Sequence, residues 1–320
     1  MTDDGEAPGR PTADGTMLER GPQVRFEDVT TTLGDEVVLH RLNLELPPGQ
    51  VTVLMGASGA GKTTLARQLV GLLRPDSGRI SIGDRSVSDT DGRELRALRA
   101  QMGVMLGGTT LFDASVFGSL TVYENIAYPL RLRGSDDDAV HTRTTRWLHA
   151  LQLDGLADRM PEELPAHTRR RVALGRALVA DQLLVVLDDV DVCMDATTAA
   201  PTVRAIREAQ RRTGATMLVT THDITLARAL GDRLAVLANR RIVASGSPAK
   251  LLEGVLDAAD FDHRFRVMDS LGPSSIEVPD RSRENWTILI DQRLVTYALT
   301  ALVVVVMLFA LYRQIGPFGS

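Results

Sequence analysis

The sequence has one cysteine, almost no lysine and no excess of positive charge. Its only cysteine, Cys193, excludes an intramolecular disulfide and is typical of a protein in a reducing cytosol. The net charge of −5 lacks the basic excess that nucleic-acid-binding proteins carry, so we expect no nucleic-acid partner. Only Lys62 and Lys250 are lysines, and all the other basic residues are arginines. Residues 1–21 contain no apolar run of the kind found in a secretory signal.

Short apolar runs alternate with segments of helical periodicity between residues 24 and 249. Three continuous apolar runs are typical of strands buried on both faces of a parallel sheet: VTVLM (51–55), LLVVL (183–187) and TMLVT (216–220). The segments 63–73 and 203–212 have the apolar spacing of helices. Residues 39–46 alternate with period two, which predicts an antiparallel edge near the N-terminus. The sequence therefore predicts an α/β domain.

Composition divides the chain into five predicted parts: a disordered tail (1–21), a globular domain (22–253), a linker (254–285), one transmembrane helix (286–313) and a short tail (314–320). The membrane helix is indicated by residues 294–312, which carry no charge and would be about 28 Å long as a helix, close to the thickness of a bilayer core. A buried core helix is the alternative. Three arginines between residues 281 and 293 precede this stretch and one follows it, which predicts that the N-terminus and the domain are cytoplasmic.

The segment GASGAGKT, from Gly56 to Thr63, has the spacing of a phosphate-binding loop, GxxxxGK(S/T), between a predicted strand and a predicted helix. Its glycines let backbone N–H groups converge on phosphate oxygens, and the helix directs its positive end at the same phosphates. A lysine in so arginine-rich a chain suggests that an ammonium group is required here. A glycine-rich turn of structural use only is the alternative. The candidate nucleotide-binding residues are Gly56, Ala57, Ser58, Gly59, Ala60, Gly61, Lys62, Thr63 and Thr64.

Polar residues follow the later apolar runs. Asp188 ends the run LLVVL, where a parallel strand would emerge beside the phosphate loop, and a carboxylate there can hold Mg²⁺ together with the Thr63 hydroxyl. Asp189 could position or deprotonate an attacking water, and His222, after the third run, could contact the γ-phosphate. We therefore predict Thr63 and Asp188 as metal ligands, and Asp189 and His222 as catalytic residues.

These motifs, in this order, resemble the ATPase subunit of an ABC transporter. The likeness covers residues 24 to 250 and rests on the phosphate loop, LPAHTRRRVALGRALV (164–179), LLVVLDD (183–189), Asp195 and THD (221–223). It implies a P-loop NTPase of the ABC ATPase type, with a RecA-like core, an antiparallel β edge and a helical subdomain over about 108–180. It also implies ATP and Mg²⁺ as cofactors, and a head-to-tail dimer in which each signature segment, LSGGQ in consensus form, covers the partner's ATP. Closure of that dimer drives a membrane permease.

A narrower resemblance concerns two segments, MGVMLGGTTLF (102–112) and GSLTVYENIAYPLRLRG (118–134), which are similar to ATPases that serve Mce and Mla lipid transporters. The LF and AYPLR pieces carry most of this likeness, because TVYEN is widespread among ABC importers. Another ABC subfamily is the alternative.

The signature segment departs from the family pattern. Pro165, Ala166 and His167 stand where Ser, Gly and Gly are usual. Proline lacks an N–H donor, and histidine adds a side chain where the backbone must approach a phosphate closely. We expect the following helix to remain, with Thr168 or His167 as its cap.

Three further positions also differ from the family. Gly107 stands at the place of the lid glutamine, and Asp189 replaces the usual catalytic glutamate with a carboxylate one methylene shorter. Thr31 stands where an aromatic residue often stacks on adenine. The phosphate-binding residues are thus intact, whereas those for hydrolysis and for the contact with the partner's ATP are altered.

The sequence predicts the ATP-binding subunit of an ABC transporter of the Mce or Mla lipid type, single-pass and on the cytoplasmic face of the inner membrane, with reduced or asymmetric ATP hydrolysis. Expected partners are a second ABC ATPase subunit (identical or different), polytopic permease subunits and membrane lipid. Two alternatives remain open. One is a non-catalytic ATP-binding module that supports a membrane complex, and the other is an ATPase linked to cell-wall or division machinery.

Overall fold

The computed structural model describes residues 20–90, 92–107, 117–194 and 197–266. These residues form two β-sheets that are surrounded by helices. The strands are, in chain order, β1 (Val24–Leu33), β2 (Glu36–Leu46), β3 (Val51–Met55), β4 (Ser77–Ile82), β5 (Arg85–Ser86), β6 (Met102–Met105), β7 (Leu184–Leu187), β8 (Thr216–Thr220), β9 (Arg233–Ala238) and β10 (Arg241–Gly246).

The smaller sheet confirms the antiparallel edge predicted near the N-terminus. Its four strands have the order β2-β1-β4-β5, and all neighbours are antiparallel. Along β2, Leu42, Leu44 and Leu46 are buried while Asn43 and Glu45 are exposed. This alternation is the period-two pattern of a sheet with one face against the core.

The larger sheet has the order β10-β9-β3-β8-β7-β6, and all neighbours are parallel except the edge pair β9 and β10. Strands β3 and β8 coincide with the predicted runs 51–55 and 216–220, and β7 begins one residue later than predicted, at Leu184. Every residue of these three strands is buried. Because the strands are parallel, their carboxyl ends lie along one edge of the sheet, which is where ligands bind in such folds.

The helices connect these strands. The α-helices are α1 (Lys62–Leu69), α2 (Gly92–Ala100), α3 (Val122–Leu132), α4 (Asp137–Ala150), α5 (Ala166–Leu178), α6 (Ala199–Thr213), α7 (Ile224–Leu230), α8 (Pro248–Leu251) and α9 (Ala258–Phe265). Short 3₁₀ helices lie at Asp154–Leu156, Pro161–Glu163 and Val190–Cys193. The predicted helix 63–73 ends early, because Gly71 adopts φ +67 just after it. The described part of the predicted helical subdomain, 117–180, contains α3, α4 and α5.

Two apolar clusters hold these layers together. One joins the larger sheet to the helical region and includes Ile126, Trp147 and Val172. The other fills the space between the two sheets and α1, where Phe26 and Leu65 are buried. Burial of one such side chain stabilises the fold by about 1.5–3 kcal/mol. The clusters therefore fix α1, and with it the start of the phosphate loop's helix, against both sheets.

The predicted linker, 254–285, begins with folded structure. The side chain of Asp257 accepts hydrogen bonds from the N–H groups of Ala259 and Asp260 and so caps α9. Phe261 of this helix is buried in the core. The linker prediction is therefore wrong for residues 258–265. The helix was missed because a single buried aromatic residue in a polar segment does not produce the repeating apolar pattern by which a helix is recognised.

Several predictions fall outside the described residues: the N-terminal tail up to residue 19, Asp195, the rest of the linker, the membrane helix at 286–313 and the final tail. Within the described ranges, no helix is both long and apolar enough to cross a bilayer.

Candidate functional site

The phosphate loop connects the end of β3 to the start of α1, as predicted. Gly56 passes so close to β9 that a Cβ there would lie 2.5 Å from the carbonyl oxygen of Leu237. Gly61 has φ +106, a backbone conformation that side chains rarely adopt, and it directly precedes α1. A Cβ on Gly61 would also lie 2.9 Å from the side chain of Leu39. The path of the loop therefore requires both glycines.

Lys62 is the first residue of α1, and its side chain turns back over the loop. The ammonium Nζ donates hydrogen bonds to the carbonyl oxygens of Gly56, at 2.8 Å, and of Ala57, at 2.9 Å. Burial lowers the pKa of Lys62, while the carboxylates of Asp189 and Asp188 act in the opposite direction. A buried ammonium held at the mouth of this loop can bind phosphate oxygens.

The N-terminus of α1 supplies further hydrogen-bond donors. No side chain in the described part of the protein caps this helix. The first N–H groups of a helix have no partner within it, so together with the positive end of the helix dipole they attract phosphate. Of the other predicted binding residues, Ser58 and Gly59 are exposed, Ala57 and Thr63 are half-buried, and Ala60 and Thr64 are buried.

Asp188 follows the last residue of β7 and is fully buried. Its Oδ1 accepts a hydrogen bond from the Thr220 hydroxyl at 2.6 Å, and its Oδ2 accepts one from the backbone N–H of Gly107 at 3.0 Å. These partners lie at the carboxyl ends of β8 and β6, the strands on either side of β7. The sequence reasoning missed Thr220. Thr220 could have been predicted as a site residue, because it is the last residue of a predicted strand.

Asp189 has φ +52 and directly precedes the 3₁₀ helix at 190–193. Its backbone N–H donates to the Thr220 hydroxyl at 2.8 Å, so one threonine holds both acidic residues. Burial raises the pKa of Asp189, the negative charge of Asp188 raises it further, and Lys62 acts in the opposite direction.

Gly107 packs directly against both carboxylates. A Cβ on this residue would lie 2.7 Å from Asp189 Oδ2 and 2.8 Å from Asp188 Oδ2. At the position where the family resemblance implies a glutamine side chain, this protein therefore presents only backbone. That backbone makes its contact with Asp188 through the N–H group described above.

His222 lies beyond the end of β8, and its ring is exposed. Its Nδ1 is 3.2 Å from Asp191 Oδ2, and the hydroxyl of Thr221 donates to Asp191 Oδ1 at 2.7 Å. His222 also lines a pocket of 150 Å³ together with Gly56 and Ala57 of the phosphate loop. The structure thus brings the predicted histidine to the loop. It also adds Asp191, which the sequence reasoning did not identify because nothing in its spacing indicates a contact with residue 222.

Thr31 packs against the interior of the domain. The side chain is buried, and its hydroxyl accepts a hydrogen bond from Gln68 Nε2 of α1 at 2.6 Å. β1 contains register irregularities on both sides of Thr31, which interrupt the alternation of its side chains. The exposed apolar residue at this end of the strand is Leu33. Thr31, which stands where the family often has an aromatic residue, is thus buried against α1.

The altered signature segment still begins a helix. Pro165 is the N-cap residue of α5, and no described side chain makes a capping hydrogen bond there. Thr168 is buried, and its hydroxyl accepts from the Arg171 guanidinium at 3.2 Å. The expectation that Thr168 or His167 caps this helix is therefore wrong. Pro165 and Ala166 are exposed, so the part of the segment that differs from the family faces outwards.

The residues present fit a magnesium-bound nucleotide. Lys62 and the N-terminus of α1 carry positive charge for phosphate, whereas the Thr63 hydroxyl and the Asp188 carboxylate are oxygen ligands of the kind that Mg²⁺ takes. Within the described residues there is no cluster of three or more His, Cys, Asp or Glu side chains around one point. Mg²⁺ does not require such a cluster, because it usually keeps several waters and binds one or two carboxylates plus substrate phosphates.

Comparison with known proteins agrees with this site. The profile of the ABC transporter family matches residues 39–191. The chain is 34% identical over 231 residues to the methionine import ATP-binding protein MetN of Cereibacter sphaeroides, covering 71% of this chain and 64% of that protein. It is 30% identical over 240 residues to the probable ribonucleotide transport ATP-binding protein mkl of Mycobacterium leprae, covering 75% and 67%. It is 35% identical over 245 residues to the Fe(3+) ions import ATP-binding protein FbpC of Brucella abortus, covering 76% and 66%. The chain thus spans about two thirds of the length of these relatives.

Solved structures show the same fold. A bacterial ABC transporter cassette, solved as a dimer, superposes with a TM-score of 0.63 at 26% identity, over 70% of this chain and 98% of that one. The same cassette in a dimeric post-hydrolysis state, bound to ADP and Pi, gives the same values.

Proposed function

The chain belongs to the ABC transporter family of ATP-binding proteins, and on that premise we propose that it is the ATP-binding subunit of a membrane transporter, with reduced or asymmetric ATP hydrolysis. The observation that carries this proposal is the meeting of three groups at one sheet edge. Lys62 lies on the phosphate loop after β3, Asp188 follows β7, which is separated from β3 by β8, and the negative charge of Asp188 acts on the Lys62 ammonium. His222 completes the set from the third strand end.

Reduced hydrolysis is supported by what surrounds the two carboxylates. Asp189 carries the shorter side chain, and Gly107 offers no side chain to bind a water or Mg²⁺ beside it. A general base must come within about 2.6–3.2 Å of the proton it removes, directly or through one water. We infer that Asp189 works through an additional water, at a lower rate than a glutamate.

Asymmetry follows from the signature segment. Proline has no N–H group, so the exposed Pro165 lacks a donor that would cover a partner's ATP, and His167 adds a side chain where glycine is usual. In a homodimer both sites would combine Asp189 with this altered segment. Beside a partner of consensus sequence the two defects would lie in different sites, so the two sites would differ in rate.

A groove between the helical region and the larger sheet supports a permease partner. It has a volume of 350 Å³, and exposed apolar side chains line it, among them Leu72, Tyr128 and Leu132. Phe117 packs edge-on against Tyr128, with ring centroids 4.8 Å apart, and the Arg176 guanidinium lies 4.6 Å from the Phe117 centroid. Exposed apolar clusters of this kind are typical of protein interfaces. We propose that a helical segment of the permease binds there.

The transported substrate is proposed from the sequence alone. The named relatives serve methionine, ribonucleotide and Fe(3+) transport, so likeness to them does not select one substrate. The lipid-type assignment is supported by the segments 102–112 and 118–134 only.

We also propose that residues 294–312 anchor the subunit in the membrane, with the domain on the cytoplasmic face. Deletion of residues 286–320 should then release the protein to the soluble fraction.

One experiment tests the main proposal. ATP binding and phosphate release are measured for the full chain, alone and with its permease, in the wild type and in Lys62→Ala. We expect ATP binding that Lys62→Ala abolishes, with slow phosphate release by the isolated chain. Full turnover by the isolated chain would contradict the reduced-hydrolysis part, and a wild type that does not bind ATP would contradict the whole proposal.

A second candidate function is an ATP-binding module without turnover. The absence of a side chain at Gly107 favours it, because no glutamine there can bind Mg²⁺ or the attacking water beside Asp188 and Asp189. ATP-stabilised dimers that release no phosphate, even in the presence of the permease, would support this alternative.

A further inference from the structure

Asp191 lies beside the nucleotide site and has no role in the function proposed above. It belongs to the 3₁₀ helix Val190–Cys193, and its side chain is 12% exposed. Its two carboxylate oxygens have separate partners: Oδ1 accepts from the Thr221 hydroxyl at 2.7 Å, and Oδ2 lies 3.2 Å from His222 Nδ1. The carboxylate is thus fixed on one side and contacts the imidazole on the other.

The direction of these hydrogen bonds is determined by the neighbours. The backbone N–H of Asp223 donates to the Thr221 oxygen at 3.0 Å, so the hydroxyl proton of Thr221 is free to go to Asp191. An ionised carboxylate can only accept, and therefore His222 must carry a proton on Nδ1 to make its contact. The remaining ring nitrogen, Nε2, is then the one available to other groups.

The position of the His222 ring makes it accessible to a ligand at the phosphate loop. The side chain of His222 is 70% exposed, so the imidazole is accessible to a ligand. It lines the same pocket as Gly56 and Ala57, the first residues of the phosphate loop. The exposed ring therefore borders the loop that would hold the phosphates of ATP.

The ion pair between Asp191 and His222 adds little to the stability of the fold. An ion pair with one partner mostly exposed contributes about 0–1 kcal/mol. The charge of Asp191 attracts the Lys62 ammonium, but it also raises the pKa of Asp189, which is a repulsion between two carboxylates. The contact with the histidine therefore calls for a role beyond stability.

We propose that Asp191 is a positioning residue for His222. It holds the imidazole in the Nδ1–H tautomer and fixes the ring so that Nε2 meets the terminal phosphate of ATP bound at the loop. Asp191 itself does not contact the nucleotide. This inference rests on the proposed ATP-binding function. It adds to that function a residue that determines the tautomer and the orientation of His222.

The test compares two substitutions that remove the same charge. In Asp191→Ala, no acceptor remains for the Nδ1–H group of His222. In the control, Asp223→Asn, the residue next to His222 loses its negative charge. Asparagine caps a helix as well as aspartate does, so α7 keeps its N-cap. A third variant, Asp191→Glu, retains the charge and both acceptor oxygens.

Two readouts are taken on the full chain. The tautomer of His222 is read from its ¹⁵N chemical shifts at a pH where the ring is neutral, with the signals assigned by their loss in His222→Gln. The values of kcat and KM for ATP are measured in parallel. We expect Asp191→Ala to lose the Nδ1–H tautomer and to reduce kcat on the order of 10- to 100-fold, as when the hydrogen-bond partner of a metal-binding histidine is removed. KM should change by no more than about twofold, because the residue does not bind substrate.

The control Asp223→Asn should retain the wild-type tautomer and kcat, and Asp191→Glu should retain the tautomer. The proposal is overturned if Asp191→Ala keeps the wild-type tautomer, or if the tautomer changes while kcat does not. It is also overturned if Asp223→Asn has the same effects. A wild type that binds no ATP would refute the proposed function, but the tautomer comparison would still decide whether Asp191 orients His222.

Discussion

Replacing Gly107 by alanine places a methyl group against the two carboxylates of the nucleotide site. The added Cβ would lie 2.7 Å from Asp189 Oδ2 and 2.8 Å from Asp188 Oδ2, whereas ordinary contact begins at 3.4 Å. The two oxygens must therefore retreat by about 0.7 Å and 0.6 Å, the differences between 3.4 Å and these distances.

This movement weakens mainly the hydrogen bond that Asp188 accepts. Its Oδ2 accepts the Gly107 N–H at 3.0 Å, and a retreat of about 0.6 Å stretches that distance beyond hydrogen-bond range. Loss of a hydrogen bond to a charged group costs about 1.5–3 kcal/mol. For a domain of this size each kcal/mol corresponds to about 2–4 °C of melting temperature, so we expect a decrease of roughly 3–12 °C.

Differential scanning fluorimetry without nucleotide measures this decrease, and Gly155→Ala provides the control. Gly155 has no atom within 4 Å of an added Cβ and no positive φ, so its substitution should change stability by less than about 0.5 kcal/mol. Equal melting temperatures for the two variants would refute the reasoning. Gly107→Gln meets the same obstacle at its Cβ, so restoring the glutamine of the family pattern should not raise the rate of ATP hydrolysis.

Two further substitutions test the loop and the groove. Gly56→Ala directs its Cβ at a backbone oxygen of Leu237, which cannot rotate away, and we expect a loss of about 1–3 kcal/mol in urea unfolding. Wild-type stability in this variant would contradict the close approach of the loop to β9. Leu132→Asp introduces a charge into the exposed apolar groove, and should reduce co-purification with the permease while leaving ATP affinity and melting temperature unchanged. Undiminished co-purification would exclude this groove as the permease contact.

The sequence predicted the parallel sheet and the phosphate loop because each has a local signal. Strands buried on both faces read as continuous apolar runs, as in residues 51–55 and 216–220. The loop is defined by residue types at fixed spacing, and the structural reasons for Gly56 and Gly61 agree with that spacing. Asp188 and Asp189 were found for a related reason, since they follow a strand that the apolar pattern had located.

What the sequence did not predict depends on contacts between distant segments. The burial of Thr31 follows from irregular pairing within β1, which shifts side chains from one face of the sheet to the other. The contact of Asp191 with His222 joins residues that are 31 positions apart, and it exists only because β7 and β8 are neighbours. The packing of Gly107 against two carboxylates likewise requires β6 to lie beside β7.

The helix α9 changes where the folded unit ends. Phe261 lines the same pocket as Met55, Gly56 and Ala57, so a side chain from beyond residue 253 packs next to the first residues of the phosphate loop. A fragment cut at the composition boundary, after Glu253, would lose the burial of that aromatic ring, about 1.5–3 kcal/mol, and would open the loop to water. Proteolytic trimming, tags and fluorescent labels intended to leave ATP binding intact should therefore be placed after Arg266.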